Sequence, residues 1–305
     1  MCCPCPSVRV RVGPCGPVKD KREWFDYEHD YEHEHEYEHE FGDEPGFVLY
    51  CPQTVSREAL MQNFLMLALA AGALMTTAAG QAQPPSADTF PTPDGPLVLA
   101  FIGHGSLRIS LGDKQIYIDP VSQYGDYRTM PKADLVLITH QHGDHLDTAA
   151  IDAVRKPGTV VIATALCTDK LPDATVLKNG DSGTYAGVPL KAVPAYNLLH
   201  KRPNGTPFHP KGDGNGYVLT LGGKRIYVAG DTENIPEMAD LKDIDIAFLP
   251  MNLPYTMTPE MVAEAARSFK PKILYPYHYG DTDVNRLKTL MAGNKDTELK
   301  IRELQ

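Results

Sequence analysis

The chain has 305 residues and a formal net charge of −10, with 39 acidic against 29 basic side chains. Such a balance gives no electrostatic footprint for nucleic acid, which is held through clustered Lys and Arg. The composition is also split: residues 1–60 carry 13 acidic and 6 basic residues and five of the six cysteines.

From residue 27 to 40 that front segment is a run of Tyr, Glu, His and Asp without an apolar face at helical or strand period. It is expected to stay disordered, since it has nothing to bury against the entropy of folding. Two readings stand for residues 1–60: a metal-loading tail built on His29, His33, His35 and His39, or translated sequence ahead of a later start. The adjoining segment favours the second. Residues 61–82 read MQNFLMLALAAGALMTTAAGQA, an apolar core of secretory length followed by small residues, with cleavage expected before Gln83. The stretch is too short to span a bilayer comfortably, so no stable membrane span is expected after cleavage. A signal peptide there implies periplasmic or secreted placement. A buried helix of the folded domain is the other reading, because Met61-Gln62-Asn63 carries no basic residue.

Residues 83–96, with Pro84, Pro85, Pro91, Pro93 and Pro96, read as a Pro-rich linker, and 97–305 as one domain. The chain from Gln83 onward has a net charge of about −3 and one cysteine, Cys167, so it contains no pair for an internal disulfide. Roughly 220 residues suffice for a sizeable single core.

In chain order, residues 97–102, 107–111 and 115–119 read as strands of a meander with a tight turn at Gly112-Asp113. A buried strand at 135–139 leads to a helix at 147–156 with Asp147 as N-cap. A strand at 159–163 and a short helix at 165–171 follow, then strands at 175–178, near Tyr185 and at 190–194. A long Gly/Pro-rich loop, 197–215, suggests function rather than mere connection. Strands at 217–221 and 225–229 flank Gly222-Gly223. A helix at 234–241, a strand at 244–250, a helix at 259–269, a strand at 272–276 and a last helix and strand complete the chain. A meander followed by β/α alternation in both halves argues for an α+β fold of two mixed β-sheets packed face to face with helices outside.

The chemistry is concentrated in residues 134–147, DLVLITHQHGDHLD. An apolar strand ends in His140, His142, Asp144 and His145, too many imidazoles and carboxylates for a dry core to satisfy. A metal explains them: imidazole and carboxylate are its ligands, and alternation puts His140 and His142 on one side of an extended segment. This H-x-H-x-D-H pattern resembles the signature of the metallo-β-lactamase-fold hydrolases. Phe101-Ile102-Gly103-His104 resembles the glycine-histidine of a branch that includes ascorbate-6-phosphate lactonase-like proteins, and would place His104 beside the metals as ligand neighbour or proton carrier. Gly230-Asp231-Thr232 resembles the family's bridging aspartate element, and Tyr277-His278-Tyr279 its last histidine ligand.

The resemblance implies a four-layer αββα sandwich with its metal site at one sheet edge. It also implies two cations, Zn2+ in the first place with Mn2+ or Fe as alternatives, and a metal-activated hydroxide attacking an ester, lactone, amide or phosphodiester. His140 and His142 would hold the first metal, Asp144, His145 and His278 the second, and Asp231 both. The chain departs from the family where many relatives have a third histidine; here the sequence is Pro194-Ala195-Tyr196-Asn197. His200 and His209 follow in the loop. His209, within Phe208-His209-Pro210-Lys211-Gly212, is favoured, and a first metal with only His140, His142 and Asp231 is the alternative. Tyr196, Asn197, Lys211 and Tyr255 are candidates for holding a small-molecule substrate. The rival readings are a phosphodiesterase or nuclease of the same fold and a non-catalytic metal-binding envelope protein, because fold and motif are shared by many chemistries.

Overall fold

The computed structural model describes residues 85–304. The 1–60 tail and the 61–82 signal peptide expected from the sequence lie outside the described residues. Strands β1 (Ser86–Thr92), β2 (Gly95–Gly103), β3 (Ser106–Leu111), β4 (Lys114–Ile118), β5 (Leu135–Leu137), β6 (Val160–Ala163) and β7 (Thr175–Val176) lie side by side in that order in one sheet. Strands β8 (Ser182–Tyr185), β9 (Val188–Ala195), β10 (Gly214–Leu221), β11 (Lys224–Val228), β12 (Ile246–Pro250), β13 (Ile273–Tyr277) and β14 (Glu298–Leu299) form the second. Each sheet begins as a four-stranded antiparallel meander and continues with three parallel strands.

Alternation within the strands builds the layers. Ile116 and Ile118 of β4, Leu135 and Leu137 of β5, Ile246 and Phe248 of β12, and Tyr275 and Tyr277 of β13 meet in one core between the sheets. The intervening Tyr117 and Val136 face a second cluster that includes Ala150, Ile151 and Val154 of helix α1 (Thr148–Val154). Ala247, Leu249 and Leu274 face a third, with Val262, Ala266 and Phe269 of α2 (Pro259–Phe269) and Leu287 of α3 (Val284–Met291). Both faces of the central strands are therefore covered, which is why they read as unbroken apolar runs. The result is the four-layer αββα sandwich.

The helices begin where the sequence sets them. Asp147 accepts from the amides of Ala149 and Ala150 at 2.8 and 3.2 Å, and Thr258 caps α2 from Met261 N with Pro259 in its first turn. Two expected helices are shorter than the pattern suggested. Ala165–Cys167 is a single 3-10 turn rather than a helix to 171, and Pro236–Asp240 is a 3-10 turn rather than a helix from 234.

The expected linker is corrected by the structure: Ser86–Thr92 pairs along its whole length with β2 as an edge strand. An edge strand tolerates Pro91, because its missing N–H need not serve a ladder on the open side. Asp88 of this strand accepts from Arg302 Nε and Nη2 at 3.1 and 2.8 Å on one oxygen and from the Tyr275 hydroxyl on the other, tying both sheets to the chain's end. Burial opposes its charge, yet the bonds from Tyr275 and Arg302 hold its carboxyl below the usual range. Asp88→Asn is expected to lower unfolding free energy at pH 7 by about 1–2 kcal/mol, a charge-assisted network discounted for partial exposure. A depressed carboxyl stabilises above its unfolded value of about 3.9 and loses that contribution as pH falls through the folded value. Urea melts of the two proteins should therefore converge as pH is taken below 4; a gap that persists unchanged would contradict this account.

Candidate metal centre

Strand direction brings the chemistry to one edge. β2, β4 and β5 run the same way in the first sheet, and β9, β11 and β13 in the second. His104 follows β2, Asp119 follows β4, and Thr139-His140 come just past β5. Tyr196-Asn197 follow β9, Asp231 comes just past β11, and His278 follows β13. The two edges are joined by His278 N donating to His104 O at 3.1 Å and Asn215 N to Thr139 O at 2.9 Å.

His104, Asp119 and His278 each sit in the left-handed region, with φ of 50, 42 and 46°. For a non-glycine residue this costs about 1–2 kcal/mol, and such strain collects at functional sites. Gly230, just before Asp231, has φ 65°, and a Cβ there would lie 2.8 Å from Asn215 O, so only glycine lets β11 turn so close to β10.

The side chains gather into overlapping groups of ligand atoms: His104, Asp144, His145 and His278; His140, His142 and His209; and His140, His145 and Asp231. His140 Nε2 and His142 Nδ1 lie 3.0 Å apart. Asp144 Oδ2 is 3.2, 3.3 and 3.6 Å from Nε2 of His104, His278 and His145. Asp231 spans both sides: Oδ2 lies 3.3 Å from His209 Nε2 and 3.6 Å from His278 Nε2, and Oδ1 3.5 Å from His145 Nε2. Ligands at about 2.1 Å from a tetrahedral zinc stand about 3.4 Å from one another, so these edges have the length of a coordination shell.

The electrostatics point the same way. Burial works against a charged His145, yet Asp231, Asp144 and Asp119 outweigh it and raise its pKa to about 10. Burial opposes the charge of Asp231 too, but His278, His145 and His209 hold its carboxyl well below the usual range. Buried His140 is pushed well below its ordinary value, chiefly by desolvation and by His145, and His142 to about 4, chiefly by desolvation and by His209. His145 Nε2 and Asp231 Oδ1 are buried without a hydrogen-bond partner. Clustered carboxylates that demand positive charge, neutral imidazoles and orphaned donor atoms together fit a metal.

Further groups hold the ligands in place, and sequence reasoning missed two of them. Buried Asp119 accepts from His145 Nδ1 at 2.8 Å, from Thr139 N at 2.7 Å and from Thr139 Oγ1 at 2.6 Å. It fixes the His145 tautomer so that Nε2 faces the other ligands. Its signal was present, an apolar strand ending in a carboxylate as at Asp231. Glu233 is the second: its carboxylate accepts from the amides of Leu198, Leu199 and His200 at 2.8, 2.7 and 2.6 Å. Burial opposes its charge, but these amides keep its pKa below the ordinary value. Gly105 packs beneath His145, where an added Cβ would lie 3.0 Å from the imidazole.

The substrate candidates divide. Asn197 does not replace a ligand; its Oδ1 accepts from His209 Nδ1 at 2.8 Å and His209 N at 2.7 Å, turning Nε2 of that ring toward Asp231. Tyr196 and Lys211 meet at one carboxylate: the tyrosine hydroxyl donates to Glu237 at 2.9 Å and the ammonium donates to Glu237 at 2.6 Å. Tyr255 is exposed at the rim, edge-on to Phe208 with ring centroids 5.0 Å apart. His200 Nδ1 donates to Thr256 O at 2.8 Å and lies outside the ligand groups.

An αββα sandwich with histidines and aspartates massed at its strand ends defines a metallo-hydrolase. The chain belongs to the β-lactamase superfamily, whose domain model matches residues 98–278. It is 31% identical over 218 residues to a metal-dependent hydrolase of Pelotomaculum thermopropionicum, an alignment covering 67% of this chain and 95% of that one. It is 53% identical to a Parabacteroides distasonis protein of known structure named as a candidate metal-dependent hydrolase, covering 72% of this chain and 99% of that chain at a TM-score of 0.68. The fold is shared with a metallo hydrolase of Ignicoccus hospitalis at 24% identity, 68% and 95% coverage and a TM-score of 0.56.

Proposed function

We propose that the protein hydrolyses an ester, lactone, amide or phosphodiester of a small molecule with a pair of zinc ions. The observation that carries this is Asp231, whose two carboxylate oxygens are shared among His209, His145 and His278. His140, His142 and His209 would hold the first ion, Asp144, His145 and His278 the second, and Asp231 both. Three imidazoles at the first position favour zinc over harder cations. Two such ions supply a nucleophilic water at neutral pH and polarise the bond it attacks.

The chain's own contribution is placement and proton handling. Asp119 and Asn197 lock the tautomers of His145 and His209. Asp144 reaches solvent, its side chain 42% exposed, and His104 Nε2 lies 3.2 Å from its oxygen. Against that acceptor-only carboxylate His104 Nε2 donates, so the ring orients Asp144, while desolvation holds the pKa of His104 below the ordinary value. A nuclease reading is disfavoured by the acidic balance of the chain, since a polyanion is held through clustered Lys and Arg.

Elemental mass spectrometry of the purified protein tests the reading. About two zinc ions per chain are expected, with loss of ester turnover on chelation and recovery on adding zinc. A single ion at saturation would remove the shared role of Asp231. Failure to bind zinc, manganese or iron after reconstitution would overturn the proposal.

A further inference from the structure

Six large apolar side chains stand exposed among the described residues, and four of them, Leu198, Leu199, Leu253 and Tyr255, come from two loops at the rim of the metal centre. One loop runs from Asn197 to His209, the other from the end of β12 to Thr258. Both begin beside ligands. Asn197 orients His209, and Met251 N donates to His278 O at 3.3 Å.

The loops are also stitched together. Asn197 Nδ2 donates to Tyr255 O at 2.8 Å, and His200 Nδ1 to Thr256 O at 2.8 Å. Glu233, buried beneath, takes three consecutive amides from Leu198 to His200. Leu198 and Leu199 are thus held outward by a buried carboxylate, with Leu199 70% exposed. A loop pinned by its backbone to display leucines in water keeps apolar surface uncovered that a polar residue would serve at lower cost.

We infer that these two loops form a binding lip for an apolar acyl chain on the substrate. The inference rests on the hydrolase reading and narrows it to esters whose acid part is aliphatic. Water adds its oxygen to the acyl carbon, the acyl–oxygen bond breaks, and the proton leaves with the alcohol; the chain of the acid lies on the lip throughout. The occupant is argued from continuity: the lip starts within a residue of the group that positions His209, so a molecule spanning both touches the metal centre at one end.

The test is a chain-length series on the zinc-loaded full chain. With 4-nitrophenyl acetate, butyrate, hexanoate and octanoate, kcat/KM should climb about fourfold per methylene, the equivalent of ~0.8 kcal/mol per buried CH2, until the lip is filled. Leu199→Ser and Leu253→Ser should each flatten the climb. Their side chains are exposed, and Glu233 holds Leu199 by its amide, so folding is not at stake. In parallel, calorimetry with acetate, butyrate, hexanoate and octanoate anions reads binding without turnover. Affinity should rise with length and lose that rise in Leu199→Ser.

If no ester is cleaved but octanoate still outbinds acetate through Leu199, the hydrolase reading falls and the lip stands. Turnover indifferent to chain length, or a climb that survives both substitutions, overturns the lip and leaves the hydrolase. Neither cleavage nor length-dependent binding overturns the lip. So does a dimer that Leu199→Ser dissociates while chain length has no effect, since the leucines then serve a second copy of the chain.

Discussion

Asp231→Asn is expected to empty both metal positions at once, dropping zinc from about two ions per chain toward none. Asp231 is 5% exposed and lies within 3.6 Å of nitrogens from both groups, so neither position is complete without it. On the proposed two-zinc reading, replacing the carboxylate by a neutral amide removes the charge that both cations would share. Taking one partner from a buried charged set costs roughly 3–5 kcal/mol, which in transition-state terms is a fall of about 10^2–10^4 in kcat/KM on whichever ester is turned over. The effect must be told apart from misfolding. In chelator, wild type and Asp231→Asn should melt within a few degrees of one another. Saturating zinc should raise the wild-type melting temperature alone, because only a protein that binds the ion gains stability from it. Equal zinc content in the two proteins would refute the shared role.

How far this centre could be read from sequence depended on how local each residue's task is. His140, His142, Asp144 and His145 are ligand types packed into six positions after a buried strand, and Asp231 and His278 end strands of the same kind, where the family resemblance groups them with the first four. Asp119 and Glu233 escaped because their partners are distant. Asp119 serves a histidine 26 residues on, and Glu233 an amide group 36 residues back. A carboxylate after a strand has no pattern that says which imidazole it will hold. Tyr196 and Lys211 have a distant partner of the same kind: the 3-10 turn Pro236–Asp240 delivers Glu237 to both, a contact their place in the sequence does not announce.

The same locality explains the fold. The central strands were legible because they are covered on both faces and have few polar residues, whereas β1 has exposed and half-buried positions and a proline, the marks of a linker. Only its partner strand β2, across the turn at Pro93-Asp94, makes it a strand. The long loop announced function by its length, but its order comes from Glu233, a residue of the next strand-end turn. Propensity within 197–209 carries no trace of that pin.

Asn197→Ala is the substitution that separates positioning from ligation. Its Oδ1 receives both the ring N–H and the backbone N–H of His209, and its Nδ2 donates to Glu233 Oε1 at 3.2 Å and Tyr255 O at 2.8 Å. Glu233, Asn197 and His209 form a carboxylate–amide–imidazole chain, which on the proposed reading would supply the third imidazole from twelve residues further on. Removing it frees the ring to flip and leaves Nδ1 without its acceptor, a loss that in metal sites costs about 10–100-fold in affinity. The cost should fall on one ion only: zinc content under mild chelation drops from two toward one, because Asp144, His145 and His278 do not depend on Asn197. A structural role for the amide would instead lower retention of both ions together with the melting temperature of the chelated protein. The decisive comparison is a double-mutant cycle with His209→Ala. If Asn197 acts through His209, adding Asn197→Ala to His209→Ala costs no further affinity, whereas additive losses would mean the amide works elsewhere.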